Sequence, residues 1–252
     1  ATTSAAGIVQ LATTPEALTG TNATKAVTPA GLYFPTGHLY GLTLSNGADA
    51  TNDINIATGT ARDGSDPVNM ALASVLTKQL DASWAVGTNA GGLDTGTIAN
   101  TTYHVWLIKR SDTGVVDALF STSASAPTMP TNYDYKRRIG SILRESASIV
   151  AFSQVGDLFL RSTSVLDVDA SNPGTSAVTR TLSVPIGIQV KAKIIAALRA
   201  QSSSNIALYV SSLSQSDEAP STSVAPLSNI GWRGAVAVQL AADVDAGLVL
   251  VL

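Results

Sequence analysis

The sequence predicts an all-β protein, with a short N-terminal attachment or oligomerisation segment followed by an antiparallel β-sandwich or jelly-roll-like domain. Three observations indicate this. Short runs with period-two alternation recur along the chain, separated by Gly, Asn, Asp and Pro. Charged residues are 13% of the 252-residue chain, about half the usual share of roughly 25%. Serine and threonine, with 28 residues each, supply polar side chains in place of the missing charged residues, which indicates a weakly charged surface.

Residues 1–36 differ from the remainder of the chain, because their apolar residues occur in short bursts between turn-forming residues. The pairs Thr14-Pro15 and Thr28-Pro29 can each start a helical turn, since proline fits the first helical position. Such a segment buries little of itself. We therefore expect it to pack on another chain or domain, with assembly contacts through Ile8, Val9, Leu11 and Val27.

Residues 37–252 form the predicted β domain. The strand runs along it are 39–44, 53–56, 75–80, 103–108, 115–120, 138–142, 149–152, 157–160, 179–184, 188–198, 206–210, 235–240 and 248–252. The step 110–114 is predicted to be a hairpin turn with glycine in the left-handed position. The glycine-rich stretch 91–96 precedes no helix and is interpreted as a flexible loop.

The last third of the domain has two ambiguous stretches. Residues 191–200 have high helix propensity, but their alternation favours a strand. Residues 202–228 are rich in Ser, Pro and Ala and are predicted to be surface loop around one strand. The final residues 247–252 form a strand pattern with no polar tail, which suggests that the domain continues beyond residue 252.

Composition excludes several function classes. The absence of cysteine removes disulfide frameworks, thiol catalysis and cysteine-ligated zinc. A net charge of -3 argues against a general nucleic-acid binder. No apolar run approaches the roughly 20 residues that a membrane helix needs, so no membrane insertion is expected.

Sequence motifs for catalysis are absent as well. The chain has no G-x-S-x-G, H-E-x-x-H or phosphate-binding G-x-x-x-x-G-K-[ST] motif. The two histidines, His38 and His104, are too far apart in sequence to form a local metal pair. His104 lies inside a strand pattern, which favours a packed histidine over a catalytic base. We therefore predict no enzyme activity, no cofactor and no metal site.

Four aromatic residues are candidates for stacking on a ligand: Trp84, Tyr133, Tyr135 and Trp232. The tyrosines precede three cations at 136–138, a pattern that can stack on bases and bind phosphates. The weak overall charge favours the alternative, in which these residues begin a strand and the cations lie on the protein surface. The two tryptophans lie near strand ends, where half-buried packing is the alternative to an exposed platform.

Two stretches resemble known virion proteins. Residues 7–32 read GIVQLATTPEALTGTNATKAVTPAGL. Their G-x-V-x-L-A-T start, T-G-T-[DN]-A centre and A-V-T-P end resemble a segment that recurs in tail fibres of tailed bacteriophages. A second, looser match runs from Gly92 to Ser141 through YHVWLI, GVVDALFS and RRIGS, and resembles a β domain of phage fibre and related virion proteins.

This resemblance implies a structural bacteriophage virion fibre protein, usually a homotrimeric tail fibre, that is involved in host attachment. The implied partners are copies of the same chain, other virion proteins and a host surface receptor, with a polysaccharide as one option. The resemblance carries no catalytic residues. A capsid or collar fibre or spike stays open, as does a carbohydrate-binding module without a virion role. A polysaccharide-degrading spike is disfavoured, because no repetitive coils are visible.

Overall fold

The computed structural model of the chain describes residues 9–28, 31–32, 34–65, 68–170, 176–199, 206–216, 227–229, 235–244 and 248–251. The elements in this part are α1 (Thr14–Thr19), β1 (Leu39–Gly41), β2 (Leu44–Asn46), β3 (Asp53–Ile56), β4 (Gly59–Arg62), β5 (Asn69–Leu72), β6 (Leu76–Ser83), β7 (Ala90–Leu93), β8 (Thr102–Arg110), β9 (Val116–Ser121), β10 (Tyr133–Glu145), β11 (Ser148–Ile149), β12 (Phe152–Val155), β13 (Leu158–Arg161), β14 (Val178–Arg180), β15 (Val190–Arg199), β16 (Ile206–Ser212), β17 (Leu227–Asn229), β18 (Ala235–Val244) and β19 (Leu248–Val251). The predicted all-β class is confirmed.

The largest sheet contains eight strands in the order β11-β10-β8-β9-β7-β6-β3-β2. Most neighbours are antiparallel, as expected from the sequence. Strand β7 is the exception, because it runs parallel to both β6 and β9. The sheet is therefore mixed, with its parallel pairs in the centre.

The glycine pair at the start of the 91–96 stretch is not a loop, and that prediction is wrong. Gly91 and Gly92 are buried inside β7. A Cβ at Gly91 would lie 2.0 Å from the Ser83 carbonyl oxygen, and one at Gly92 would lie 2.7 Å from the Phe120 ring. Glycine is required here because the neighbouring backbone and an aromatic ring approach closer than any side chain permits.

The two edges of the large sheet approach each other. A Cβ at Gly140 in β10 would lie 2.6 Å from Leu44 Cδ1 in the edge strand β2. The Leu44 N–H donates to Gln154 Oε1 at 2.7 Å, which attaches the β12–β13 hairpin to the same edge. The resulting curved sheet, with the three-stranded sheet β1-β4-β5, encloses the main core. Its buried residues include Leu42, Leu44, Ile54, Ile56, Met70, Leu80, Tyr103, Val105, Leu107, Phe120, Ile139 and Ile142.

Strand β8 is buried on both faces, which explains its nearly continuous apolar sequence. One face contributes to the main core. The other carries Trp106, which is 6% exposed and packs with Ile108, Leu119 and Tyr133 in a second cluster. The predicted turn between β8 and β9 is confirmed, with Gly114 at φ 73°.

Helix α1 confirms the predicted helical turn at Thr14. Thr13 donates to Glu16 Oε2 from both its N–H and its hydroxyl, at 2.9 and 3.0 Å. The helix ends at Gly20, whose φ is 64°. The turn expected at Thr28 falls partly outside the described residues, although the Gly31 N–H donates to the Thr28 carbonyl at 2.9 Å.

The described strands from β14 onwards form two further sheets, β14-β19-β16-β17 and β15-β18. The stretch around 191–200 is strand β15, as its alternation predicted, and it pairs antiparallel with β18 along its whole length. A small cluster centred on Leu182 and Ala192 is buried there, with Val184, Ile194 and Val210 packed against it. The described parts of the 202–228 region are strands β16 and β17 and the turn after β16.

Candidate functional site

The N-terminal segment exposes three of the four predicted assembly residues. Val9, Leu11 and Val27 are 44%, 58% and 47% exposed, and Ile8 lies outside the described residues. Leu11 forms a parallel bridge with Ala26, which brings the two ends of the segment together. The apolar side chains at both ends are therefore accessible to a second surface, although the assembly itself stays a prediction.

Several polar groups of this segment bond to one another. Lys25 Nζ lies 2.5 Å from Glu16 Oε1. This hydrogen bond, together with those from Thr13, lowers the pKa of Glu16 to about 2. The side-chain oxygen of Asn22 accepts hydrogen bonds from the N–H groups of Thr24 and Lys25 at 2.9 and 3.2 Å. The described part of the segment is therefore a preformed loop that exposes apolar side chains at both ends.

Asn69 in β5 fixes the connection between this segment and the β domain. Its Oδ1 accepts from the Phe34 N–H at 3.0 Å and from Arg62 Nη1 at 2.9 Å. Its Nδ2 donates to the Leu32 carbonyl at 2.9 Å. The rings of Phe34 and His38 stack with centroids 4.4 Å apart. These contacts dock Leu32 and residues 34–38 on the three-stranded sheet.

Three of the four candidate stacking residues lie in the described part of the chain, and they do not form an exposed platform there. Tyr133 is only 3% exposed, so the prediction of a stacking ring at this residue is wrong, because Trp84 and the second cluster cover it. Trp84 meets the Tyr133 ring edge-on at 5.2 Å, and its Nε1 donates to the Ala118 carbonyl at 3.0 Å. Tyr135 is half-buried against the main core. Trp232 lies outside the described residues.

A buried ion pair, which the sequence pattern did not predict, lies beneath Trp84. Lys78 Nζ lies 3.2 Å from Asp117 Oδ1, and it donates to the carbonyls of Ala85 and Gly87 at 2.6 and 3.2 Å. Burial lowers the pKa of Lys78, and Asp117 opposes that effect. One feature of the sequence indicates that Lys78 is buried: it stands between Leu76 and Leu80 on the inward side of a strand pattern.

His104 and Ser141 form a second buried polar pair. His104 is 1% exposed, and its Nδ1 lies 2.8 Å from Ser141 Oγ. Burial, and secondarily the charge of Arg138, lowers the pKa of His104 to about 4. The predicted packed histidine is therefore confirmed.

One cleft of about 440 Å³ lies where β8 begins and β10 ends, with residues 183–186 as its far wall. It is lined by Asn100, Thr101, Thr102, Leu143, Arg144, Glu145, Ser146, Ser183, Val184 and Ile186. The lining combines aliphatic side chains with amide, hydroxyl and ion-paired groups. Glu145 is paired with Arg161, whereas Arg144 donates to two neutral acceptors, Asn100 Oδ1 and the Ala147 carbonyl.

The described residues contain no group of three or more His, Cys, Asp and Glu side chains placed to hold a metal ion. In the same part of the chain, no helix has both the length and the apolar character to cross a membrane.

Comparisons of the chain with protein-family models, with curated proteins and with solved structures found no match.

Proposed function

We propose that this chain is a structural bacteriophage virion fibre protein, a homotrimeric tail fibre involved in host attachment. The observation that carries the proposal is the N-terminal segment, a loop that the Glu16–Lys25 pair helps to preform and that leaves Val9, Leu11 and Val27 exposed. The same segment bears the resemblance to tail-fibre sequences.

Physical chemistry supports association through this segment. Burying one Val or Leu side chain fully contributes about 1.5–3 kcal/mol, and a closed symmetric assembly repeats that gain in every subunit. The loop is already ordered by the Leu11–Ala26 bridge and the Glu16–Lys25 pair, so little conformational entropy is lost on association. Lys25 and Glu16 neutralise each other, which avoids the repulsion of like charges across a symmetry axis.

The β domain suits a rigid, outward-facing role. Its core is enclosed by a curved sheet, and Asn69 docks the N-terminal connection onto it. In the proposed virion, the segment joins copies of the chain and other virion proteins, and the β domain faces the host receptor. A capsid or collar fibre uses the same features with a different attachment partner.

The mass of the chain in solution tests the proposal. Light scattering after gel filtration should give three times the 25.7 kDa chain mass. A monomer that persists as the concentration is raised would overturn the trimeric fibre and favour a carbohydrate-binding module without a virion role. Immunogold labelling of virions then separates a tail position from a capsid or collar position.

A further inference from the structure

We propose that Lys136 and Arg138 on β10, the cation pair, bind an oxyanion: the phosphate, sulfate or carboxylate group of an acidic polysaccharide. The proposal rests on the receptor-binding role proposed above and gives the receptor a chemical class. It also revises the sequence-based interpretation of the three cations at 136–138, because these residues do not share one face of the strand.

Strand pairing divides the three cations between the two faces of the large sheet. Arg138 is opposite Trp106 of β8. Lys136 is opposite Ile108, so both members of the cation pair lie on the face that carries the second cluster. Arg137, between them, lies on the other face. Two residues along a strand separate the backbones of the cation pair by about 7 Å, which lets two long side chains contact one ligand.

The cation pair is held against Trp106. Lys136 Nζ lies 5.8 Å from the centre of the indole ring. Arg138 Nη1 donates to the Ala124 carbonyl at 2.8 Å. The same loop accepts from Trp106 Nε1 through the Ser123 carbonyl at 3.3 Å. Both cationic side chains are half-buried, so little side-chain freedom is left to lose when a ligand binds.

Neither member of the cation pair has an anionic partner in the described part of the chain. The ion pairs found there involve other lysines and arginines. Among the same residues, Lys136 Nζ makes no hydrogen bond and Arg138 uses only Nη1. None of their side-chain nitrogens is both buried and without a partner, so the unused donors contact solvent. An incoming anion can therefore reach them.

Two carboxylates on adjoining parts of the chain bond to neutral groups. Asp63 accepts from the Lys136 backbone N–H at 2.7 Å, and Asp134 accepts from a serine hydroxyl. Two further cations offset their charges. Lys109 and Arg137 donate to backbone carbonyls at 2.8 and 3.2 Å, and neither forms an ion pair within the described residues. The charge of the cation pair is therefore in excess on this part of the sheet.

The positive field of Arg138 extends to the neighbouring strand. The pKa of His104 is lowered to about 4, first by burial and then by the charge of Arg138. Among the residues that the structure describes, no carboxylate opposes this effect at His104. The field at Arg138 is therefore not cancelled by the protein itself.

An acidic saccharide supplies the missing negative charge. An arginine binds carboxylate or phosphate through two parallel N–H donors, and a lysine adds a compact charge beside it. A neutral sugar would leave the cation pair uncompensated. The net charge of -3 disfavours a nucleic acid as the source of the oxyanion, because a general nucleic-acid binder needs a broad positive field.

Isothermal titration calorimetry on the intact chain tests the site. The probes are dextran sulfate, dextran phosphate and oligogalacturonate, with neutral dextran, inorganic phosphate and single-stranded DNA as comparisons. We expect at least one acidic saccharide to bind, with an affinity that falls as salt screens the charges. Lys136→Gln and Arg138→Gln should each weaken binding about tenfold, the effect of losing one hydrogen bond to a charged group. Arg138→Lys should bind with intermediate affinity, because it keeps the charge and loses the planar fork.

Lys193→Gln is the matched control. It removes one positive charge at an exposed residue of β15 and should bind as the wild type does. Arg138→Gln keeps an N–H donor for the Ala124 carbonyl, so this variant should fold. The unfolding midpoint of each variant checks that a loss of binding does not come from a loss of structure.

Four results would overturn the inference: no acidic saccharide binds, neutral dextran binds as tightly as the acidic saccharides, inorganic phosphate or single-stranded DNA binds more tightly than all of them, or both glutamine variants of the cation pair bind like Lys193→Gln. Light scattering on the same samples separates the two proposals. A trimer that binds no acidic saccharide overturns only this site, whereas a monomer that binds one through the cation pair overturns the trimeric fibre and retains the site.

Discussion

Lys78 and Asp117 form an ion pair, with Nζ and Oδ1 3.2 Å apart and both side chains excluded from solvent. The network around them is fully connected. Lys78 donates to two carbonyls, and Asp117 accepts from the N–H groups of Gly87 and Ala118 at 2.7 and 2.6 Å. A buried charge is tolerated only with such complete pairing. The pair holds the 84–89 loop against β9, under the ring of Trp84.

Asp117→Asn should destabilise the fold by about 3–5 kcal/mol, the usual cost of breaking a buried pair. The amide nitrogen that this substitution introduces would face either the Gly87 N–H or the Lys78 ammonium, and both are donors. Urea unfolding at neutral pH measures the loss. The double variant that adds Lys78→Met should recover part of it, since the unpaired cation is gone.

The control for this prediction is Asp157→Asn, at an exposed residue in the turn between β12 and β13. Surface substitutions of this kind usually change stability by no more than about 0.5 kcal/mol. A loss for Asp117→Asn no larger than that of Asp157→Asn would contradict the role given to the pair.

His104 makes stability depend on pH. Its pKa is lowered from 6.5 to about 4 in the folded chain, first by burial and then by Arg138. Between these values the unfolded chain binds a proton that the folded chain excludes, so acid favours unfolding. The contribution of His104 is complete above pH 6.5 and is lost as pH falls towards 4. Unfolding free energies measured from about pH 6.5 down to about 5, above the main carboxylate range, should decline.

His104→Asn should flatten this decline, because no proton is then taken up at residue 104. His38→Gln removes the other histidine and serves as the matched control. A slope that disappears with His38→Gln and survives His104→Asn would contradict the assignment.

The close packing around Gly91 predicts that adding a single methyl group at this position strongly destabilises the fold. Gly91→Ala would place its Cβ 2.0 Å from the Ser83 carbonyl oxygen, a backbone atom that cannot swing away. We expect a loss of at least about 1–3 kcal/mol, the cost of overpacking, or failure to fold. In Gly31→Ala the new Cβ would meet its nearest neighbours at an ordinary 3.5 Å, so this control should unfold like the wild type. Equal stability of the two variants would refute the close approach.

Strands whose apolar and polar residues alternate could be predicted from the sequence. Contacts that arise only when distant strands pair could not. Strand β15 was identified despite its helix propensity, because Val190, Ala192 and Ile194 share one face. Strand β7 was missed because glycines leave no side chains to alternate. The His104–Ser141 bond joins residues 37 positions apart, a contact that strand pairing creates and local pattern cannot reveal.

The same distinction between local pattern and long-range contact applies to the candidate sites. The apolar N-terminal residues could be named from composition, and three of them are exposed. The burial of the aromatic candidates could not be predicted in this way, since Tyr133 is covered by Trp84, which follows a different strand. The cleft beside the β10–β11 turn is formed by three segments of the chain, so no single stretch of sequence could predict it.

The N-terminal segment gives the last prediction. Leu11→Asp combined with Val27→Asp should convert the proposed trimer to a monomer, because each copy would carry charges into an apolar contact. Both residues lie outside the main core, so the β domain should keep its circular dichroism spectrum and unfolding midpoint. Val86→Asp, at a residue that is 62% exposed, is the control and should stay trimeric. If light scattering finds the double variant still at three times the chain mass, the trimer contact lies elsewhere in the chain.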